Sequence, residues 1–393
     1  MGQPVKKIII QTHPDAVKDA PYNTLLVDGN SLLFMCFSDD KVNCDGVHYG
    51  GIYQFLLQLK LIMQRNEFRF VYVFFDDEFS GYMRWKIYPH YKQNRDKNYE
   101  DYEVSDYEKL VNEKVRKMQN YYFKDRKPKE KSEWDKFIDE NFTRERDTLC
   151  RYFNELYIRW YIDDITEGDD LISYYCANKE DNERICIMSG DMDITQLVSD
   201  TICVYNLRLK KMVTPNNFKE LFGYHHENVV IKKVMCGDVS DNIGHIKLMS
   251  ETAFDNFMPE YRNRKVTLDE IKDRAKSLVD ERVRNKKKPL QLHTNILNGV
   301  TTKTYDGDFY DINLKLVDLS TPMVSDKAKE EMAAMMYAPQ DPSDRSFSNL
   351  YRMILEDGIT EWNGDTKFAS FFNTFKKLEE KEVRFYEESV GKC

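Results

Sequence analysis

The sequence predicts an α/β fold with a parallel-rich central sheet, and two observations support this prediction. Short apolar runs rich in β-branched and aromatic residues alternate with segments of helical apolar spacing, which is the pattern of repeated βα units. Most of these runs are also followed closely by carboxylates, and the carboxyl ends of parallel strands meet at one edge of a sheet. The predicted strands are residues 24–27, 70–75, 156–162, 184–188 and 201–205.

The composition is that of a folded protein with room for one large domain or two modest ones. The chain has 393 residues, of which 41% are hydrophobic, and no stretch approaches the roughly 20 apolar residues of a membrane span. The apolar part of the N-terminus is too short for a secretion signal, so we expect a cytoplasmic protein, in the host cytoplasm if it is viral. A net charge of −9 argues against nucleic-acid binding over the whole surface but allows local basic patches.

The first two predicted strands each end in an acid. Strand 24–27 ends at Asp28, where Gly29 provides the turn and Asn30 or Ser31 caps the next helix. After an amphipathic helical run at 52–63, strand 70–75 ends at Asp76.

Two further acidic stretches follow later in the chain. Glu167, Asp169 and Asp170 precede a helix, and Asp191 and Asp193 follow the buried strand 184–188. Each stretch alone is equally well explained as an acidic helix N-terminus or an ordinary turn. Four apolar segments that border on carboxylates favour a shared site, because clustered carboxylates are costly unless a cation neutralises them.

The segment after Asp76 is of a different kind. Residues 84–95 mix cations with aromatic rings, and residues 96–147 are strongly charged, with a basic island at 124–131. A polar segment of this length between two strands predicts a lid or arch, with a solvated helical hairpin as the alternative. The chain beyond residue 255 is predicted to be mostly helical, and its basic cluster at 282–288 is predicted to be solvated surface.

A last acidic pair completes the predicted site. Asp238 and Asp241 lie three residues apart, which is one helical turn. With the earlier acids they suggest a site for two Mg²⁺ ions, with Mn²⁺ able to substitute, that activates water and stabilises the leaving oxygen of a phosphodiester. Lys92 and Arg95 would add positive charge near the phosphate. The predicted ligands are Asp28, Asp76, Glu167, Asp169, Asp170, Asp191, Asp193, Asp238 and Asp241.

Six motifs in order resemble the flap endonuclease and 5′-3′ exonuclease superfamily, a PIN-like group. They are residues 27–30 (Val-Asp-Gly-Asn), 75–76 (Phe-Asp), 88–95 (Tyr-Pro-His-Tyr-Lys-Gln-Asn-Arg), 167–170 (Glu-Gly-Asp-Asp), 189–193 (Ser-Gly-Asp-Met-Asp) and 237–242 (Gly-Asp-Val-Ser-Asp-Asn). Within that superfamily the chain is most similar to the ribonuclease H branch of the T-even bacteriophages, through residues 132–135, 242–248 and 312–318.

The resemblance implies a role for each group of residues. Asp28, Asp76, Glu167, Asp169 and Asp170 would serve one metal, and Asp191, Asp193, Asp238 and Asp241 the second. Lys92 and Arg95 would contact the scissile phosphate, and Tyr91 would stack on the terminal base. Gly168 stands where the family usually has Ala, a change expected to be harmless. The implied nucleic-acid contacts are Arg84, Tyr91, Lys92, Arg95, Lys127, Lys129, Lys131 and Lys247.

The resemblance also implies an organisation and a function. We expect a PIN-like 5′ nuclease fold with an N-terminal extension (1–20), a nuclease core (21–225) that carries a charged helical arch (about 92–147), and a helical C-terminal region (226–393). A helix-hairpin-helix-like element at 228–254 would hold duplex backbone. The expected activity is a metal-dependent 5′-3′ exonuclease and flap endonuclease with ribonuclease H activity.

The expected substrates are DNA and RNA–DNA hybrids with a 5′ end or flap, cleaved during primer removal in replication. Single-stranded-DNA-binding protein and a sliding clamp are further expected partners, and we expect a monomer without membrane contact. The alternatives are a non-catalytic nucleic-acid scaffold with the same fold and an RNase of the smaller PIN group, which lacks the arch.

Overall fold

The computed structural model describes residues 22–77, 79–92 and 133–390, with the side chain of Asp135 excepted. Its central feature is one six-stranded sheet of order β3-β2-β1-β4-β5-β6. Every neighbouring pair is parallel except β5 and β6. The strands are β1 Thr24–Asp28, β2 Phe70–Asp76, β3 Arg159–Asp163, β4 Ile185–Ser189, β5 Ile202–Asn206 and β6 Lys211–Val213.

The helices account for most of the remaining described residues. They are α1 Gly29–Cys36, α2 Gly50–Met63, α3 Tyr82–Trp85, α4 Glu133–Glu155, α5 Gly168–Ala177, α6 Pro215–Phe222, α7 Val229–Cys236, α8 Glu251–Phe257, α9 Leu268–Arg284, α10 Gln291–Asn298, α11 Phe309–Val317, α12 Asp326–Met335, α13 Phe347–Glu356 and α14 Asp365–Val390. None of them combines the length and the apolar character of a membrane span.

The sheet is buried on both faces, as its continuous apolar strands predict. Along β2, Phe75 packs near Phe55 of α2, with ring centroids 6.3 Å apart. Tyr72, on the opposite face of the strand, lies 4.8 Å from Tyr175 of α5. The α/β class with a parallel-rich sheet is therefore confirmed.

The described chain divides into two compact units, which do not follow the predicted linear boundaries. The first unit comprises the described parts of Met1–Asp77, Lys131–Asn216 and Val324–Cys393, and the second those of Glu78–Glu130 and Asn217–Met323. The C-terminal region expected at 226–393 is thus shared between them. The reason is packing, because α13 and α14 contribute Leu350 and Phe372 to the core around the sheet.

Only Lys92 and the end of the predicted arch fall within the described residues. Residues 133–147 form the first part of α4, and residues 93–132 lie outside the described ranges. Arg95, Lys127, Lys129 and Lys131 lie there too, so their predicted roles stay predictions.

The second unit contains the predicted duplex-binding element. Helices α7 and α8 are joined by residues 237–250, and a buried asparagine, Asn313 of α11, fixes this connection. Its amide donates to the carbonyl of Gly244 at 2.9 Å and to that of Val234 at 3.3 Å.

A buried histidine–glutamate pair holds α4 against the loop before α2. His48 Nδ1 lies 2.5 Å from Glu145 Oε1, and Glu145 Oε2 accepts from the backbone N–H of Ile52 at 2.9 Å. Burial acts to lower the pKa of His48, but its hydrogen bonds to Glu145 and to the carbonyl of Asp39 raise it above the ordinary value of 6.5.

This pair predicts a pH-dependent stability. Since the folded pKa of His48 is raised, its contribution is fully present below about pH 6.5 and is lost as pH rises through the folded pKa. We expect His48→Gln to lower the free energy of unfolding more at about pH 6 than at about pH 9, measured by urea denaturation. If the difference in free energy of unfolding between wild type and variant were constant across this range, folding would not shift the pKa of His48.

Candidate active site

Three neighbouring strands bring acids to the carboxyl edge of the sheet in the first unit. β1 lies between β2 and β4, and it ends at Asp28 while β2 ends at Asp76. Asp191 follows the end of β4 by two residues. The predicted meeting of strand-end acids follows directly from this parallel order.

Asp28 is held by two hydrogen bonds from different parts of the chain. Its Oδ2 accepts from Ser189 Oγ at 2.6 Å, and its Oδ1 accepts from the backbone N–H of Ser31 at 2.9 Å. Asp28 is therefore itself the N-cap of α1, where Asn30 or Ser31 was expected. Ser31 Oγ instead accepts from the backbone N–H of Gly190 at 2.9 Å.

The same hydrogen-bond network orders the loop after β4. Ser189 Oγ also accepts from the backbone N–H of Asp191 at 2.9 Å, and Asp191 Oδ1 accepts from that of Asp193 at 2.8 Å. One serine thus connects the carboxylate of Asp28 to the backbone of Asp191.

Asp76 joins the end of β2 to the beginning of α5. Its Oδ1 accepts a short hydrogen bond from the backbone N–H of Gly168, and its own backbone N–H donates to Asn30 Oδ1 at 3.2 Å. Helix α5 has Glu167 as its N-cap and Asp169 and Asp170 in its first turn, as predicted. Glu167 and Asp170 are buried.

The position of Gly168 matters more than its sequence indicates. A Cβ at this position would lie 2.9 Å from Asp76 Oδ1, closer than a real Cβ contact. A methyl group here would require the Asp76 carboxylate to move, so we predict that Gly and Ala are not equivalent at this position, in contrast to the expectation from sequence.

We expect Gly168→Ala to keep the fold but to weaken divalent-cation binding several-fold. Alanine favours a helix over glycine by up to about 1 kcal/mol, so stability should change little while the carboxylate shifts. Isothermal titration with Mn²⁺ and a thermal melt measure the two effects. Unchanged Mn²⁺ affinity would show that Asp76 tolerates the methyl group.

The edge of the sheet carries an excess of negative charge. Burial, assisted by the negative charges of Asp76 and Asp191, raises the pKa of Asp28 from 3.8 to about 7. The hydrogen bonds from Ser189 and Ser31 act in the opposite direction and do not compensate. Oxygen-only donors with excess negative charge match hard cations such as Mg²⁺ or Mn²⁺. Seven predicted ligands lie in this unit: Asp28, Asp76, Glu167, Asp169, Asp170, Asp191 and Asp193.

The other two predicted ligands lie in the second unit, on a turn rather than on a helix. Gly237 ends α7 with φ 71°, a left-handed conformation that suits glycine. Asp238 then forms an antiparallel bridge with Ile243, and its Oδ1 accepts from the backbone N–H of Ser240 at 2.7 Å. Asp238 and Asp241 therefore lie on a turn and not on one helix face, but their carboxylate oxygens still lie within 4.8 Å of each other, in agreement with the predicted pairing.

Each acid of this turn has its own environment. Lys233 Nζ lies 2.5 Å from Asp238 Oδ2. Burial acts to raise the pKa of Asp238, but this cation lowers it to about 2. Asp241 is buried, and its Oδ2 accepts from the hydroxyl of Tyr91 at 3.3 Å.

The predicted phosphate-contacting lysine lies beside the same turn. The backbone N–H of Lys92 donates to the carbonyl of Asp241 at 2.9 Å, and its Nζ lies 4.9 Å from the ring centre of Tyr91. Lys92 has φ 51°, an uncommon conformation for a residue other than glycine. The structure therefore brings Lys92 and Asp241 together within the second unit.

Two predicted nucleic-acid contacts need correction. The side chain of Arg84 is buried, and its Nε donates to the carbonyl of Leu316 at 2.9 Å, so it ties α3 to α11. The ring of Tyr91 is only 3% exposed, so it offers no free face for a terminal base and instead orients Asp241. Lys247, by contrast, is exposed.

Some residues that organise the site were not assigned roles from sequence. Ser189 and Asn30 lie inside the recognised motifs, so their positions were visible but their partners, far along the chain, were not. Lys233 precedes Asp238 by five residues, a spacing that carries no general signal.

The sheet order and the buried carboxylates at its carboxyl edge define a PIN-like 5′ nuclease fold. The chain belongs to the family described as the 5′-3′ exonuclease, N-terminal resolvase-like domain, whose model matches residues 23–223. The resemblance to the 5′ nuclease superfamily is thus confirmed.

The relatives extend this similarity over parts of longer proteins. DNA polymerase I of Bacillus subtilis (strain 168) is 28% identical over 230 residues, covering 56% of this chain and 21% of the polymerase. A 5′-3′ exonuclease of Buchnera aphidicola subsp. Schizaphis graminum (strain Sg) is 32% identical over 105 residues, covering 25% of this chain and 37% of that protein. The matches thus span well under half of either relative.

A solved structure shows the same fold. A variant of the bacteriophage T5 flap endonuclease, in a pseudo-enzyme-product complex with DNA and metal ions, is 16% identical, with a TM-score of 0.52. The match covers 86% of this chain and 100% of that one.

Proposed function

We propose that the protein is a divalent-metal-dependent 5′-3′ exonuclease and flap endonuclease. The observation that carries this proposal is the group of buried carboxylates at the sheet edge, where burial, assisted by the negative charges of Asp76 and Asp191, raises the pKa of Asp28 to about 7. Such a cluster is costly to the fold unless it holds cations. Membership of the 5′-3′ exonuclease family supports the same activity.

The proposed substrates are DNA and RNA–DNA hybrids with a 5′ end or flap. The T5 enzyme with the same fold was solved with DNA and metal ions, and the match to part of DNA polymerase I supports a role in DNA replication. Removal of RNA primers, with ribonuclease H activity, is the role that we propose. A monomer in the cytoplasm, with single-stranded-DNA-binding protein and a sliding clamp as partners, completes the proposal.

The chain's own residues orient the site for this chemistry. Bound Mg²⁺ would supply a positive charge that activates water and stabilises the leaving oxygen. The hydroxyl of Ser189 and the backbone N–H of Gly168 fix the carboxylates of Asp28 and Asp76 before any cation arrives. Lys92, held in its left-handed conformation by the carbonyl of Asp241, would contact the scissile phosphate.

The alternative is a non-catalytic scaffold that keeps the fold. A scaffold has no need for a buried carboxylate whose ionisation is opposed by burial and by Asp76 and Asp191. In a binding protein, neutral residues at these positions would stabilise the fold, so the retained acids favour catalysis.

Three 5′-labelled substrates test the proposal: a flap, a nicked duplex and an RNA-primed duplex, each with and without Mg²⁺. We expect metal-dependent release of short 5′ products from the flap and the RNA-primed substrate. Tight binding without cleavage in Mg²⁺ or Mn²⁺ would establish the scaffold instead. Cleavage of the DNA flap alone would remove the ribonuclease H activity and keep the nuclease.

A further inference from the structure

The second unit carries a strongly basic surface segment. This basic loop is residues 282–288, where α9 ends and the connection to α10 begins. It contains Arg282, Arg284, Lys286, Lys287 and Lys288. Within the described part of the chain, none of these five side chains forms an ion pair.

Three arginines of the same unit are paired with carboxylates. Arg262 pairs with Asp255 at 2.8 Å, Arg264 with Glu270 at 2.8 Å, and Arg274 with Glu260 at 2.7 Å. The cations of the basic loop differ in this respect from these three arginines.

The backbone of the basic loop is ordered by its own hydrogen bonds. The backbone N–H of Lys287 donates to the carbonyl of Arg282 at 2.7 Å, and that of Lys286 to the carbonyl of Val283 at 2.9 Å. Arg282 Nε donates to the carbonyl of Lys288 at 2.8 Å and closes the turn. The loop thus presents its lysines from a fixed backbone, which reduces the entropy lost on binding.

Lys247, a further exposed lysine, lies beside the end of α10 that is opposite the basic loop. The amide of Asn295 donates to the carbonyl of Lys247 at 2.8 Å, and the backbone N–H of Lys247 donates to the carbonyl of Val300 at 2.8 Å. Helix α10 has eight residues, so the basic loop and Lys247 are separated by about 12 Å along its axis. That length corresponds to about four base pairs of a duplex.

We propose that the basic loop 282–288 binds the phosphate backbone of duplex nucleic acid, as an extension of the contact predicted for Lys247. This inference rests on the proposed function, since it concerns the same substrate. Residues 279–290 contain no aromatic side chain to anchor a protein partner, and lysine is depleted at protein–protein interfaces. A phosphate backbone needs only positive charge at intervals and binds without reading sequence.

The test compares Lys286→Ala/Lys287→Ala/Lys288→Ala with a control of equal charge change in the first unit. The control replaces three exposed lysines of α14, Lys367→Ala/Lys376→Ala/Lys377→Ala. Affinity for a fluorescent blunt duplex is measured in EDTA at about 50 and 200 mM KCl. Loss of three phosphate contacts reduces the magnitude of the slope of log affinity against log salt concentration (the salt slope) by about 2.7. Between these two KCl concentrations, wild type should therefore lose about 40-fold more affinity for the duplex than the loop variant.

The α14 control should keep the wild-type salt slope. Lys287→Glu alone should weaken duplex binding, as the triple loop variant does. Equal salt slopes for wild type and the loop variant would overturn the proposal. Polyglutamate serves as a second ligand that represents an acidic protein partner. A loop variant that loses affinity for polyglutamate but keeps its affinity for duplex would also overturn the proposal. Failure of wild type to bind duplex would overturn it as well. Flap cleavage by wild type, assayed in parallel, separates this failure from failure of the proposed nuclease.

Discussion

Replacing Asp169 or Asp191 by Asn should reduce cleavage of a 5′ flap by about 10²–10³-fold or more. Each change keeps the size of the side chain and removes one negative charge from a site proposed to hold metal. The expected loss is comparable to that of other preorganised electrostatic groups. Binding to duplex should stay the same or strengthen, because phosphate contacts dominate affinity and a repulsive charge is lost. Single-turnover cleavage and duplex affinity measure the two effects.

Asp163→Asn provides a matched control at the same sheet edge. Asp163 pairs with Asp76 in the register of β2 and β3, but its Oδ2 accepts from Ser325 Oγ at 3.2 Å and from the backbone N–H of Ile165 at 3.3 Å. An amide oxygen can accept the same bonds, so this variant should cleave within a few-fold of wild type. Full turnover in Mg²⁺ by Asp169→Asn or Asp191→Asn would remove those acids from the mechanism, and cleavage in excess EDTA would remove the metal.

Arg159→Met should destabilise the protein by about 3–5 kcal/mol. Arg159 and Glu382 form a short bidentate ion pair between β3 and α14, with side chains 3% and 0% exposed. Burial already raises the pKa of Glu382 despite the hydrogen bond from Arg159. Removal of the cation leaves a buried carboxylate without compensation, and urea denaturation followed by tryptophan fluorescence should show the loss.

Two comparisons make this prediction specific. Arg159→Met combined with Glu382→Leu removes both charges and should recover most of the lost stability. Arg352→Met disrupts an exposed ion pair with Glu356, one helical turn apart at 2.9 Å, and should cost at most about 0.5 kcal/mol. If Arg159→Met cost no more than Arg352→Met, the buried pair would contribute little to the attachment of α14.

The sequence by itself determined five of the six strands and where their acids lie, whereas β6 was not predicted. Strand periodicity and the turn residues after it involve neighbours a few positions apart, so the ends of β1 and β2 at Asp28 and Asp76 were predictable. The acidic start of α5 and the loop containing Asp191 were predictable for the same reason. The parallel strand order then brings these ends to one edge without further information.

Only the tertiary structure decided which groups hold those acids. Ser189 donates to Asp28 across 161 positions, and Gly168 donates to Asp76 across 92, so no local pattern encodes either bond. The burial of Arg84 and Tyr91, and the turn that carries Asp238 and Asp241, depend likewise on what packs around them. A sequence motif fixes the residue types and spacing, whereas burial and partner choice are set by distant segments that meet only in the folded chain.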